Sequence, residues 1–219
     1  MKTYKIIISA LSLFIISLFL PNQLLGQQNL GVKEQRDQAK KAKYYAAKAV
    51  LDITENGALL VRLRSYQNEI DYWEKTAGEK GKAGLKKVQE KKAQKAEALM
   101  EAFQVFGVCP VYFFYSNDTR AVKDGDYSKL LKTESTDDIQ GKRIFFLDTD
   151  RFPSASMNTT FNGFGVFDEK FEYLPDPFPN GIRKYEFFKF IKADRTYAQM
   201  VVILDERLRL TAQQIKQGK

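Results

Sequence analysis

Two carboxylates, Asp148 and Asp150, close the apolar run in "FFLDTDRF" (145–152). At that spacing after a strand, they can share a hard divalent cation or divide nucleophilic and acid–base roles between them. Arg151 follows directly. Two other apolar runs also end in polar clusters, "ALLV" in Arg62, Arg64 and Ser65, and "VYFFY" in Ser116, Asn117 and Asp118. Ligands of open α/β sheets bind beyond the carboxyl ends of the strands. The candidate ligand-binding residues are therefore Arg62, Arg64, Ser65, Asn117, Asp118, Asp148, Asp150 and Arg151, on condition that the three strands are neighbours. The competing reading is that polar residues terminate any strand, with Arg62 and Arg64 balancing Asp118 or Asp148 across the sheet. The arginines also point toward a helix start at Ser65, where free backbone N–H groups favour anions.

The composition narrows the chemistry further. There is no histidine and one cysteine. Ser-His-Asp and Cys-His catalysis, nearly every zinc site, C-x-x-C redox pairs and iron–sulfur clusters are excluded. An enzyme would have to work with carboxylates, lysines, tyrosines or a hard metal. No phosphate-binding glycine loop occurs, and no motif calls for a cofactor. "GEKGKAG" (78–84) has spaced glycines but follows a helical stretch, so it reads as a flexible break. Cys109 stands before Pro110 at the entrance of the most apolar run. It has neither a resolving thiol nor a histidine beside it, and reads as a small buried hydrophobe.

The formal charge is +8. Residues 75–95 hold eight lysines against Glu79 and Glu90, and the rest of the chain is near neutral. A strip of this kind either contacts anionic surfaces, here weakly through Lys86, Lys87, Lys91 and Lys92, or forms the solvated face of a helix. It has no aromatics for base stacking, and lysine without arginine is a poor signature for specific phosphate or nucleic-acid recognition. The solvated face is the preferred reading.

At the N-terminus, Lys2 and Lys5 precede "IIISALSLFIISLFL", and Pro21 and Gly26 close the segment. That order predicts a signal peptide over 1–26, cleaved after Gly26. Without a cysteine at the cleavage site, lipidation is excluded. The expected protein is exported, to the periplasm or the extracellular space, with no membrane span after cleavage and no internal disulfide.

The elements that position the candidates follow from periodicity. Residues 27–54 form an N-terminal helix with Ala39, Ala42, Ala46, Ala49, Val50 and Ile53 on its apolar face. A strand follows through "ALLVRLRS", then a helix from Ser65 anchored by Ile70 and Trp73. A second helix over 84–106 carries an apolar seam of Leu85, Val88, Ala96, Leu99, Phe103 and Phe106, interrupted at Lys92. Strands at 109–116 and 143–150 are apolar on both sides, as in a sheet covered twice. Between them lies a short helix. Residues 163–174 read as a hairpin turning at Asp168–Lys170, and the last helix begins with Asp194 as N-cap. Residues 55–219 are thus a single α/β domain. Its mixed, mostly parallel sheet of about five strands has a C-terminal antiparallel hairpin and helices on both faces. A thioredoxin-like or related three-layer arrangement has this element order. Where thioredoxins place their cysteine pair, this chain has Arg64-Ser65-Tyr66-Gln67.

The segments "NGALLVRLRSYQNEI", "CPVYFFYSND" with the following "GDY", "RFPSAS" and "GFGVFDEKFEYLPDPFP" together resemble exported proteins of unknown function from Bacteroidota. The resemblance implies an envelope protein and carries no catalytic residue. Asp148 and Asp150 are similar to the Asp-x-Asp of haloacid-dehalogenase phosphatases, but those place it on an early strand, and too little chain follows Asp150 here. The leading expectation is a non-catalytic binding or interaction module. The alternative is a carboxylate- or metal-dependent hydrolase.

Overall fold

A computed structural model of the chain describes residues 31–131, 139–149, 151–154, 157–175, 178–188 and 191–218. The expected signal peptide, its cleavage site and Asp150 lie outside the described residues. The chain divides into two compact units, Met1–Tyr44 and Tyr45–Lys219. In the first, residues 31–44 are helical and mostly exposed. The second opens with helix α1 (45–56), whose Ala46, Ala49, Val50 and Ile53 are buried.

Strand β1 (Gly57–Leu63) follows with almost no connection. Gly57 allows this, because a Cβ there would stand 2.5 Å from the Ile53 Cα. Next come α2 (Gln67–Glu74), α3 (Gly78–Ala102), β2 (Val111–Tyr115), the short α4 (Thr119–Lys123) and β3 (Arg143–Asp148). The chain then adds β4 (Arg151–Ser154), β5 (Met157–Phe167), β6 (Ile182–Arg183), a separate β7–β8 hairpin (Tyr185–Phe188, Ile191–Asp194) and α5 (Tyr197–Lys216).

The sheet runs β2-β1-β3-β5-β4, with β6 also on β5. The first three strands are parallel, with β1 between β2 and β3; the later ones are antiparallel. This is the expected α/β architecture with a mixed sheet. Alternation along the strands supplies two cores. On one face Leu59, Val61, Leu63, Phe113, Phe145 and Leu147 cluster with buried residues of α1, α3 and α5. On the other, Ala58, Leu60, Tyr112, Phe114 and Phe146 cluster with Val122 of α4, Leu130 and Ile139. Runs apolar on both sides are therefore covered on both sides.

Four local expectations are corrected. The glycine segment is no break but the first turns of α3, packed closely on what precedes it. A Cβ on Gly84 would meet the Trp73 ring at 2.2 Å, and one on Gly81 the Thr76 carbonyl oxygen at 1.9 Å. The chain does turn after β5, but its return leg makes only a Phe167–Tyr173 bridge. The Asp168 carboxylate accepts from the Lys170 and Glu172 N–H groups, at 2.9 and 2.8 Å, and Phe171 takes φ 65°. Donors held in that way are lost to a ladder. The last helix is capped by Thr196 rather than Asp194, which ends β8; Thr196 and Gln199 form a reciprocal capping box. Cys109 stands at the entrance of β2 as expected but is part-buried rather than buried, against the helix-covered core. Burial pushes its thiol pKa up to about 12.

Candidate functional site

The path of the chain creates a crevice at one end of the sheet. From β1 the chain leaves through α2 and α3, and Ala96 and Leu99 of α3 pack on the first core. From β2 it leaves through α4, whose Val122 packs on the second core. Successive connections on opposite faces, together with the order β2-β1-β3, place a topological switch point at the carboxyl ends of β1 and β3. The three strand ends carrying most of the candidates are thus neighbours.

Their side chains then separate by face. Arg62 and Asp148 share the second face and pair, Arg62 Nη1 to Asp148 Oδ2 at 3.1 Å. The other Asp148 oxygen accepts from Thr149 N–H at 2.7 Å. The Arg62 guanidinium lies 5.6 Å from the centre of the Phe171 ring, and Lys123 Nζ lies 5.5 Å from it. Phe171 stacks on Phe167 and leans on Phe146. The Arg62–Asp148 balance weighed from the sequence is therefore the observed one.

Between β1 and β2, Ser65 binds Ser116 twice, the Ser65 N–H donating at 3.0 Å and the two hydroxyls meeting at 3.0 Å. Asn117 and Asp118 stand at the entry to α4 and line none of the cavities described below. Arg151 belongs to β4, but its side chain, like Asp150, lies outside the described residues. The eight candidates do not form one constellation among the described residues.

On the first face the same strand ends enclose a cavity of about 190 Å³. Arg64 lines it together with Lys92, which the sequence reading named only for weak anionic contact, and with Thr149, Tyr66, Lys95, Asn162, Lys184 and Tyr197, which were not among the candidates. Each is brought by a different constraint. Tyr66 joins β1 to α2 in left-handed backbone, at φ 56°, a costly state for a non-glycine residue and one that clusters at functional sites. On α3 the half-buried Lys92 and the exposed Lys95 stand beside the buried Ala96. Lys184 connects β6 to β7, and Tyr197 opens α5. Gly163 of β5 completes the wall; a Cβ there would come within 2.0 Å of the Ile182 carbonyl oxygen.

Two features set this cavity apart. Four cationic side chains line it, and no acidic one does among the described residues. The Tyr66 hydroxyl is buried without a hydrogen-bond partner among the described residues, although such groups are almost always satisfied. Lys92 held a signal in the sequence, as the lysine that interrupts the apolar seam of its helix. Its Nζ lies 4.1 Å from the centre of the Tyr115 ring. Lys91 turns away to Glu69, at 3.1 Å, and over the Tyr66 ring, while Lys86 faces Glu90 at 3.9 Å.

Among the described residues, no group of three or more His, Cys, Asp or Glu side chains is gathered where it could hold a metal ion. No helix among them is long and apolar enough to cross a membrane. No protein-family model, curated protein or solved structure matches the chain.

Proposed function

We propose that the chain is an exported, non-catalytic binding module whose ligand sits in the cavity at the switch point of β1 and β3. Export rests on the signal-peptide pattern of residues 1–26, and a periplasmic location on the resemblance to envelope proteins. The binding reading rests chiefly on the Tyr66 hydroxyl, buried and unpartnered in the wall of that cavity. A buried hydroxyl left without a partner costs about 1–3 kcal/mol. A ligand acceptor removes that cost, and the strained Tyr66 backbone holds the group in place for it. A cavity of about 190 Å³ is slightly larger than the ~150 Å³ engineered cavity that takes benzene, which points to a small molecule or the head of a larger one.

The hydrolase alternative needs Asp148 as a free ligand or nucleophile. Its two oxygens already meet Arg62 and the Thr149 amide, which favours a structural role. A thermal-shift screen of sugars, amino acids, organic acids and phosphorylated metabolites, with Mg²⁺ and Ca²⁺ as separate arms, tests the choice. Binding should raise the melting temperature, and Tyr66→Phe should remove the rise while leaving the free protein folded. A rise with a divalent cation that Asp148→Asn abolishes would favour the hydrolase. No response to any compound overturns the binding reading.

A further inference from the structure

The charges of the first unit are arranged differently from those of α3. Residues 31–44 hold Lys33, Arg36, Lys40, Lys41 and Lys43 against Glu34 and Asp37. They are helical, and every charged residue among them is exposed. In a helix of 3.6 residues per turn, Lys33, Arg36, Lys40 and Lys43 stand three, four and three positions apart and fall in one stripe. Glu34, Asp37 and Lys41 project to another side. Tyr44, four residues after Lys40 and 74% exposed, borders the stripe.

The lysines of α3 are matched locally: Lys82 meets Glu79 at 3.0 Å, Lys86 meets Glu90 at 3.9 Å and Lys91 meets Glu69 at 3.1 Å. None of the four stripe side chains meets a carboxylate among the described residues. Like charges three and four apart on a helix repel one another. A negative surface laid along the stripe relieves that repulsion, whereas on α3 existing pairs would have to break first.

The stripe also indicates the kind of surface. Lys33 to Lys43 cover about 15 Å of helix, so a broad anionic surface reaches all four at once. Three of them are lysines, point charges on flexible stems, which suit diffuse charge better than bidentate reading of a single phosphate. The apolar residues off the stripe are Val32, Ala39 and Ala42, smaller than the Trp, Phe and Leu that carry helices into the acyl layer. Contact therefore stays electrostatic and at the headgroups, the level at which tyrosine collects.

We propose that residues 31–44 are a docking strip for an anionic phospholipid surface, which Lys33, Arg36, Lys40 and Lys43 bind peripherally and reversibly. The proposal is independent of the cavity; the export reading enters only in favouring lipid over nucleic acid as the polyanion.

The test is sedimentation of the full mature chain with vesicles of equal parts phosphatidylglycerol and phosphatidylcholine, with pure phosphatidylcholine vesicles and duplex DNA as separate arms. The chain should bind the mixed vesicles, ignore phosphatidylcholine, and be released as salt is raised. Lys40→Gln should weaken binding about fivefold, the share of one cation near an anionic surface. Reversing the stripe, Lys33→Glu/Arg36→Glu/Lys40→Glu/Lys43→Glu, should abolish binding, and so should the glutamine set at the same positions, which adds no charge to the helix. Circular dichroism should show both variants folded. The same change of net charge on α3, Lys80→Glu/Lys82→Glu/Lys86→Glu/Lys87→Glu, should lower binding no more than Lys40→Gln alone. No binding to the mixed vesicles at low salt overturns the proposal, as does binding that survives both stripe variants. Equal binding to phosphatidylcholine overturns the electrostatic contact. Equal losses in the stripe and α3 reversals overturn the stripe in favour of net charge, and retention on DNA without vesicle binding overturns the lipid surface.

Discussion

Asp148 and Thr149 are neighbours in the chain at the end of β3, yet they serve opposite faces of the sheet. On the Asp148 side the charges are matched: Arg62 pairs with the carboxylate, and Phe171 lies beneath the guanidinium. On the Thr149 side Arg64, three lysines and the residue of an unpartnered hydroxyl, Tyr66, line a half-open cavity. Both faces draw on the same strand ends and the same kinds of residue. What separates them is what packs above. A tight aromatic loop lies over one face, and two helices that do not fully close meet over the other. Polar density at a strand end therefore marks a site only where the packing above it leaves a cavity.

The sharpest way to break this contrast is to substitute the two neighbours. Asp148→Ala strands a largely covered guanidinium, and chemical denaturation should show a loss of about 2–3 kcal/mol. Thr149→Val changes one donor in a cavity wall and should cost under about 1 kcal/mol. Equal losses would mean that the two faces are built alike.

Cys109 extends the comparison to a position before β2, part-buried against the helix-covered core. Cys109→Ala should cost about 1–2 kcal/mol through a small cavity, and the native thiol should resist iodoacetamide until the protein unfolds. The pH dependence has a definite sign. The folded pKa of about 12 exceeds the ordinary 9.0. The contribution is therefore present below pH 9 and is lost as pH rises from 9 through 12. Tyr45, whose hydroxyl donates to Asp168, is also raised to about 12, by burial first and that hydrogen bond second. It adds a loss of the same sign above pH 10. Alkaline denaturation of Cys109→Ala should be flatter between pH 9 and 12; an unchanged slope would show an accessible thiol.

Tyr66→Phe sharpens the comparison from the cavity side. Deleting an unsatisfied hydroxyl should stabilise the free protein by about 1 kcal/mol, against the usual direction for a buried substitution, and a loss on thermal unfolding would mean that the hydroxyl is already satisfied. The smallest effects belong to the outer lysines. Charge reversal at Lys86 or Lys87 should stay within about 0.5 kcal/mol in denaturant melts. Lys92→Glu should cost more, because it also removes the contact with the Tyr115 ring, worth about 0.5–1 kcal/mol at an exposed site. Equal values would put Lys92 back on the solvated face.

Legibility in the sequence followed the range of the interactions. β1, β2, β3 and the long helices were readable, because alternation and helical spacing are local patterns. β4 and the β7–β8 hairpin were missed. Each is four residues long, too short to show a period of its own. The glycine segment misled because local rules count glycine against a helix, whereas here its missing side chains let α3 lie against Trp73 and Thr76. Of the eight candidates, Arg64 alone has a described side chain in the cavity wall, beside Thr149. Tyr66 stood between two residues already noticed and looked like any tyrosine after a strand.

By itself the sequence determined the architecture and the forbidden chemistries. An α/β order follows from alternating periodicities, and the lack of histidine together with a single cysteine removes whole classes of mechanism however the chain folds. Only the tertiary structure decided which polar residues pair across the sheet and which line a cavity. Arg62 and Arg64 are two residues apart, yet one pairs with Asp148 while the other lines a cavity with lysines from α3 and from the β6–β7 connection. That sorting depends on what β3, α3 and α5 bring to the end of β1, and no local pattern in the chain records it.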